Sequence, residues 1–169
     1  MSAFTNHLGL ILFDDDQGRA VMHATDQTLW FVNPPLTYYV GSEDSGARIT
    51  VPSFDPTGLT EAEILAKFDD RTAFITDLGS TPRITWSLGF SPSGPEAKAF
   101  VLHDYGYRYK GENIGHRYRP DGTLGPVSYT REEVDGLLLE AMGVLGIDPH
   151  KARIIYDAVR LGGATGWGT

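Results

Sequence analysis

Short apolar runs separated by polar turn residues fill the first eighty residues of this chain. Apolar runs of four to eight residues bounded by Asn, Asp, Gly or Pro are typical of strands joined by tight turns. We therefore expect an antiparallel sheet, in which the first two runs form a hairpin around the acidic turn at 14–16. The predicted strands lie at 8–13, 19–24, 28–32, 36–40, 48–52 and 72–76.

In the second half of the chain, apolar residues recur at the spacing of a helix. Two pairs of residues fit the capping box that begins a helix: Thr60 with Glu63, and Thr130 with Glu133. The first pair predicts a short helix after Thr60. Pro95 fits the first position of a further helix, and Asp148 followed by a proline fits the start of the last one. The three long helices are expected at 95–109, 130–146 and 149–162, with Ile154, Ile155, Ala158 and Val159 of the last one turned inward.

These elements predict an α+β fold, a small antiparallel β-sheet in the N-terminal half packed on three C-terminal helices. A length of 169 residues suits one domain. We expect a β-rich part at 1–80, a helical part at 95–163 and a flexible tail at 164–169. The Gly- and Pro-containing segment 110–129 is expected to be a long loop, and long loops are often functional.

Charge is unevenly distributed. The net charge is −8, and residues 1–80 hold four Lys and Arg against twelve Asp and Glu, whereas residues 81–169 hold ten of each. Such a balance argues against nucleic acid as a partner. The local exception is five basic residues interleaved with four tyrosines between Lys98 and Arg119, which fit either a solvated loop or a surface for a polyanion or a sugar.

Composition excludes further classes of protein. There is no cysteine, so the chain has neither a disulfide framework nor a thiolate zinc site. No apolar run reaches the length of a membrane span, and the N-terminal segment lacks the basic residues of a signal peptide. No cofactor is indicated, although His, Asp and Glu side chains could hold a divalent metal ion.

The candidate site residues lie on the helix predicted at 95–109. His103, Asp104 and Tyr107 share one face of that helix with Phe100, and the opposite side is also apolar. Ionisable groups covered in this way need partners. The partners available are Asp77, Ser80 and Arg83 in the preceding turn-rich segment and Asp135, which lies in the apolar sector of the next helix.

The sequence is compatible with three arrangements of these residues. His103, Asp104 and Asp135 are candidate ligands of a divalent metal ion, which would activate a water molecule for hydrolysis. Without metal, His103 and Asp77 would be base and orienter, with Ser80 as nucleophile. In the third arrangement the residues form a buried hydrogen-bond network, with Asp77 capping its turn, Arg83 paired with Asp104 and His103 bridging to Asp135.

Five segments, in order, also match a known pattern. They are ITVP (49–52), FITDLGSTPRITW (74–86), AKAFVLHDYGYRY (97–109), VDGLLLEAMGVLGI (134–147) and YDAVRLGG (156–163). With these motifs the chain resembles the phage and prophage family catalogued as domain of unknown function 1353. One departure is the segment PTGLTEAEILAKFDDR (56–71), which separates the first two motifs.

The resemblance implies that Asp77, Ser80, Arg83, His103, Asp104 and Asp135 belong to the family motif, and that the gene travels with bacteriophages. It implies no activity. From it we expect a virion-associated accessory protein of the tail or tail tip, located in the virion or in the host cytoplasm before assembly. Its partners would be other phage structural proteins or further copies of itself. The alternative expectation is a phage hydrolase, directed at peptidoglycan or dependent on metal, that uses the His and Asp residues.

Overall fold

The computed structural model of the protein describes residues 1–13, 16–25, 28–41, 46–78 and 94–168. Eight strands lie in the described residues: β1 (Ala3–Phe4), β2 (Leu10–Leu12), β3 (Trp30–Val32), β4 (Leu36–Val40), β5 (Ala47–Val51), β6 (Ile75–Thr76), β7 (Gly115–Tyr118) and β8 (Leu124–Val127). Six helices accompany them: α1 (Asp16–Thr25), α2 (Glu61–Ala66), α3 (Ala97–Arg108), α4 (Arg131–Val144), α5 (Pro149–Gly162) and α6 (Ala164–Trp167). The predicted α+β class is confirmed.

The strands form two antiparallel sheets. The larger sheet has the order β1-β4-β5-β7-β8, and the smaller has the order β2-β3-β6. The main hydrophobic cluster contains Tyr38 and Ile49 of the larger sheet together with residues of α3, α4 and α5. A second cluster joins the smaller sheet to α1 and α2 through residues such as Phe31, Val21 and Ile64.

The predicted hairpin of 8–13 with 19–24 is wrong. Residues 16–25 form α1, and β2 pairs instead with β3, in the register Ile11 to Phe31. The run RAVMHA contains Ala, Met and Arg, which favour helix, and six residues are too few for periodicity to separate helix from strand. Residues 14–15 of the acidic turn, and residues 42–45 between the strands predicted at 36–40 and 48–52, lie outside the described residues.

The prediction of a long loop at 110–129 is also wrong. β7 and β8 form a hairpin in this segment and add two C-terminal strands to the larger sheet, with Arg48 of β5 opposite His116 of β7. Three of the four residues of β7 are exposed, so this strand has no hydrophobic pattern to reveal it. The backbone of β5 supplies its hydrogen-bonding partner.

The helix starts follow the local signals closely. Thr60 and Thr130 each accept from the backbone N–H three residues later, and both capping boxes are complete. The Asp148 side chain accepts from Lys151 N, with a proline at the first position of α5. The helix α3 begins at Ala97, so Pro95 lies two residues before it rather than at its first position.

Two details of the C-terminal region differ from expectation. Ile154 is 38% exposed, so the prediction that it turns inward is wrong; the buried residues of α5 are Ala152, Ile155 and Val159. The segment expected to be a flexible tail contains the short helix α6, and the Trp167 ring packs edge-on against Tyr107 at 5.0 Å between centroids. Among the described residues, no helix is both long and apolar enough to cross a membrane.

Candidate functional site

The helix α3 is covered on most of its circumference, and this places its polar side chains in the interior. Ten of its twelve residues are buried. His103 is 1% exposed and Asp104 is 6% exposed, so both side chains have lost most of their contact with water. Such groups remain stable in the interior only when other polar atoms replace that water.

Asp135 of α4 provides the acceptor for one side of α3. Its Oδ1 lies 3.0 Å from His103 Nε2 and accepts a hydrogen bond of 2.7 Å from the Tyr107 hydroxyl. Since an ionised carboxylate has no proton to donate, the proton of the His103 contact belongs to Nε2. Asp135 itself is completely buried.

Two arginines complete the surroundings of this carboxylate. Arg160 Nη1 of α5 donates to Asp135 Oδ2 at 2.8 Å, and Arg131 Nε lies 3.8 Å from the same oxygen. Arg131 also donates to the Tyr107 hydroxyl at 3.2 Å and to the Arg160 carbonyl at 2.7 Å. We call His103, Tyr107, Arg131, Asp135 and Arg160 the Asp135 cluster; it joins α3, α4 and α5.

The surroundings decide how these groups ionise. Burial by itself raises the pKa of Asp135, but hydrogen bonds from His103, Tyr107 and Arg160 outweigh it, and the pKa lies below its ordinary value. Burial raises the pKa of Tyr107 to about 12, with Asp135 adding to the rise and Arg131 opposing it. The Asp135 cluster therefore contains an ionised carboxylate, a neutral phenol and two guanidinium groups at neutral pH.

Asp104 faces a different neighbour. It accepts a hydrogen bond from the Thr76 hydroxyl at the end of β6, and Thr76 Oγ1 in turn accepts from the backbone N–H of Leu78 at 2.8 Å. Asp104 thus joins α3 to the smaller sheet, while His103 joins α3 to the neighbouring helices. His103 and Asp104 are adjacent in the sequence, but they contact different parts of the fold.

His103 and Asp135 are in contact, the pairing that the network interpretation predicted, and the Tyr107 hydroxyl donates to the same carboxylate oxygen. Asp77 is half-buried just after β6. Ser80 and Arg83 lie outside the described residues, so the predicted pairing of Arg83 with Asp104 and the capped turn at Asp77 stay predictions. Within the described part of the chain, no group of three His, Asp or Glu side chains is arranged to hold a metal ion.

Sequence reasoning missed Arg131 and Arg160. Arg131 precedes Asp135 by four residues on one helix, a spacing that places the two side chains on the same face and was a usable signal. Arg160 lies 25 residues from Asp135 on another helix, so its spacing gave no signal, but it is the arginine of the motif YDAVRLGG. Thr76 was likewise assigned only to a strand and not to the site.

A separate pocket of about 370 Å³ lies near the N-terminal end of α3. It is lined by residues of the N-terminal segment, of β2 and β3, and of the start of α3, including His7, Trp30 and Lys98. Among the described residues, the lining does not include His103, Asp104, Tyr107 or Asp135.

The fold and the site together define an α+β protein with two antiparallel sheets and a buried His–Tyr–Asp–Arg cluster that joins three helices. Residues 59–159 match the model of a family described as "Protein of unknown function (DUF1353)". The match covers 101 of the 169 residues, and the chain belongs to this family. No curated protein and no solved structure matches the chain.

Proposed function

We propose that the protein is a component of bacteriophage particles, an accessory protein of the tail or tail tip that binds other virion proteins. In this proposal the Asp135 cluster holds the fold together and carries out no reaction. The phage setting comes from the resemblance of the five sequence motifs to phage and prophage proteins. The structural role comes from the contacts of the cluster.

The observation that carries the proposal is the enclosure of Asp135. Both of its oxygens accept hydrogen bonds from the protein, Oδ1 from His103 and Tyr107 and Oδ2 from Arg160. Neither His103 nor Asp135 has appreciable contact with solvent. A carboxylate that is enclosed and satisfied in this way fixes the positions of the helices around it.

Energetics support the same role. Removing one partner of a buried ion pair costs about 3–5 kcal/mol, because the remaining charge is left without compensation. A domain of this size has a total stability of about 5–15 kcal/mol. Removing any one partner from the Asp135 cluster should therefore cost a large share of the stability of the domain.

The proposal is tested by mass spectrometry of purified particles from a phage that encodes this chain. We expect the protein in the particles at a fixed ratio to a major tail protein. Its presence in the lysate of infected cells combined with its absence from purified particles would overturn the proposal.

A second candidate function is a hydrolase directed at peptidoglycan, and one observation favours it. The 3.0 Å contact between His103 Nε2 and Asp135 Oδ1 has the geometry of a general base held by a carboxylate. In that case the purified protein clears a suspension of cell walls, and His103→Ala abolishes clearing while unfolding free energy changes by less than about 2 kcal/mol.

If the Asp135 cluster has a structural role, cell-wall clearing and the unfolding free energy of His103→Ala give the opposite results. The wild-type protein leaves cell walls intact, and His103→Ala lowers the unfolding free energy by about 3 kcal/mol, because Asp135 loses a buried donor. His150→Ala is the matched control, since His150 is exposed at the start of α5. Clearing by the wild-type protein that His103→Ala removes would assign the site to catalysis.

A further inference from the structure

The pocket of about 370 Å³ is a cleft between the smaller sheet and the start of α3. Its described lining includes Leu10 and Trp30 of the sheet, Ala97 and Lys98 of the helix, and His7 from the segment between β1 and β2. Pockets of a few hundred cubic ångströms are typical of the sites at which proteins bind small molecules. The cleft is therefore large enough for one small molecule.

Short side chains at the start of α3 leave the space. Further along this helix the sheet and the helix are in contact, because the Thr76 hydroxyl donates to Asp104. Before and at its first turn, the helix offers the cleft only Gly94, Pro95 and Ala97 besides Lys98. Such small side chains do not fill the gap between a sheet and a helix in the way that a larger apolar residue would.

The larger part of the cleft surface is apolar. Leu8, Leu10 and Trp30 line it, and each of them is only half-buried, so the cleft leaves apolar surface in contact with water. Within the described ranges, no aromatic ring packs against Trp30. An indole that lines a cleft without an aromatic neighbour is a good surface for a flat ring. These walls favour an aromatic ligand.

Lys98 brings a positive charge to the cleft and is held in place by uncharged groups. Its Nζ donates to the carbonyl of Asn6 at 2.6 Å and lies 5.3 Å from the centre of the Phe4 ring. Among the described residues, Lys98 forms no ion pair. A lysine ammonium has three N–H donors, and the Asn6 carbonyl takes one of them. The charge and the other donors of Lys98 favour a negatively charged acceptor.

The described lining of the cleft contains no Asp or Glu that would compete for Lys98. Glu96, two residues before Lys98, turns its carboxylate back towards Gly94, is 4% exposed and interacts within the protein. The helix α3 also begins at this cleft, and the amino end of a helix carries a partial positive charge that adds to the charge of Lys98. The electrostatics of the cleft therefore select an anionic ligand.

We propose that this cleft binds a small aromatic carboxylate. The ring of the ligand lies against Trp30 and Leu10, and its carboxylate accepts from Lys98. The cleft and the Asp135 cluster have no described residue in common. The inference therefore goes beyond the proposed virion role and does not depend on it.

The test is calorimetric titration of the full-length protein with three probes of the same shape and different charge. They are cinnamate, its neutral amide cinnamamide, and the cation cinnamylammonium. We expect cinnamate to bind and cinnamamide to bind at least about tenfold more weakly, because only the carboxylate forms charge-assisted hydrogen bonds with Lys98. Cinnamylammonium should bind more weakly than the amide. Equal affinities for cinnamate and cinnamamide would overturn the inference.

Two variants assign the binding to the cleft. Lys98→Met removes the ammonium and keeps an apolar side chain, so it should weaken cinnamate binding at least about tenfold and leave cinnamamide binding unchanged. Lys151→Met, an exposed change on α5, is the matched control and should bind cinnamate like wild type. If Lys98→Met fails to fold, Ala97→Leu still tests the cleft, because it fills the space without changing charge and should weaken the binding of both probes. Wild-type affinity for cinnamate in either variant would contradict the inference.

The position of the ligand is read from the indole N–H resonances in an NMR spectrum. The resonance of Trp30, assigned by its loss in Trp30→Phe, should shift when cinnamate is added. The resonance of Trp167, whose ring packs against Tyr107, should stay in place. No binding of cinnamate at millimolar concentration, or a shift at Trp167 without one at Trp30, would overturn the inference. Presence or absence of the protein in phage particles tests the virion role alone.

Discussion

Arg160 Nη1 lies 2.8 Å from Asp135 Oδ2, and this contact fixes α5 to the buried carboxylate of α4. The same carboxylate accepts from His103 and Tyr107 of α3. The packing of α3, α4 and α5 against one another therefore depends on the side chain of Asp135.

Replacing Asp135 by Asn should be strongly destabilising. The change removes the negative charge that faces Arg160 and Arg131, and it places an amide N–H₂ group against hydrogen-bond donors. We expect a loss of about 3 kcal/mol in unfolding free energy, measured by urea titration. Asp157→Asn is the control, because Asp157 is 51% exposed in its ion pair with Arg153, and it should cost less than about 0.5 kcal/mol. Equal losses in the two variants would contradict the structural role of the Asp135 cluster.

The contribution of Asp135 should disappear in acid. Its pKa in the folded protein lies below the ordinary value of 3.8, so the unfolded chain takes up the proton first as pH falls. The stabilisation is therefore complete above pH 3.8 and is lost as pH falls through the lowered pKa. We expect the difference in unfolding free energy between wild type and Asp135→Asn to be constant near neutral pH and to shrink below about pH 4. If the difference in unfolding free energy grew on acidification instead, the lowered pKa of Asp135 in the folded protein would be contradicted.

Tyr107 should make the protein sensitive to alkali. Burial raises its pKa from 10.0 to about 12, so the unfolded chain ionises at lower pH than the folded one. The associated stability is present below pH 10 and is lost as pH rises towards 12. Tyr107→Phe is expected to cost about 1 kcal/mol at neutral pH and to lose less stability than wild type between these two values. Tyr118→Phe, at an exposed position, should follow the wild-type profile in the same titration.

The contact between α3 and α4 requires a glycine at position 106. A Cβ there would lie 2.6 Å from Val134 Cγ1, closer than two carbon atoms can approach. Gly106→Ala should therefore cost about 1–3 kcal/mol, seen as a lower thermal midpoint. Gly136→Ala on α4 meets nothing within 4 Å and should instead stabilise by about 0.5–1 kcal/mol. In a Val134→Ala background the cost at Gly106 should fall; a cost that stays unchanged would place the strain elsewhere.

The two wrong secondary-structure predictions have different causes. The segment that became α1 was too short for its periodicity to distinguish helix from strand. The hairpin of β7 and β8 carries exposed side chains on β7, so its pairing with β5 depends on backbone hydrogen bonds that no local pattern displays. The first error is therefore local, whereas the second concerns strands whose pairing is decided by a distant neighbour.

By itself, the sequence determined the starts of α2, α4 and α5 and the need of Asp135 for a partner. Capping boxes at Thr60 and Thr130 depend on groups three residues apart, and helical periodicity alone places a carboxylate among apolar neighbours. Only the tertiary structure decided which partners that carboxylate has. Arg160 reaches it from 25 residues away, and Thr76 reaches Asp104 across 28, because such contacts depend on how the sheets and helices pack and not on their spacing along the chain.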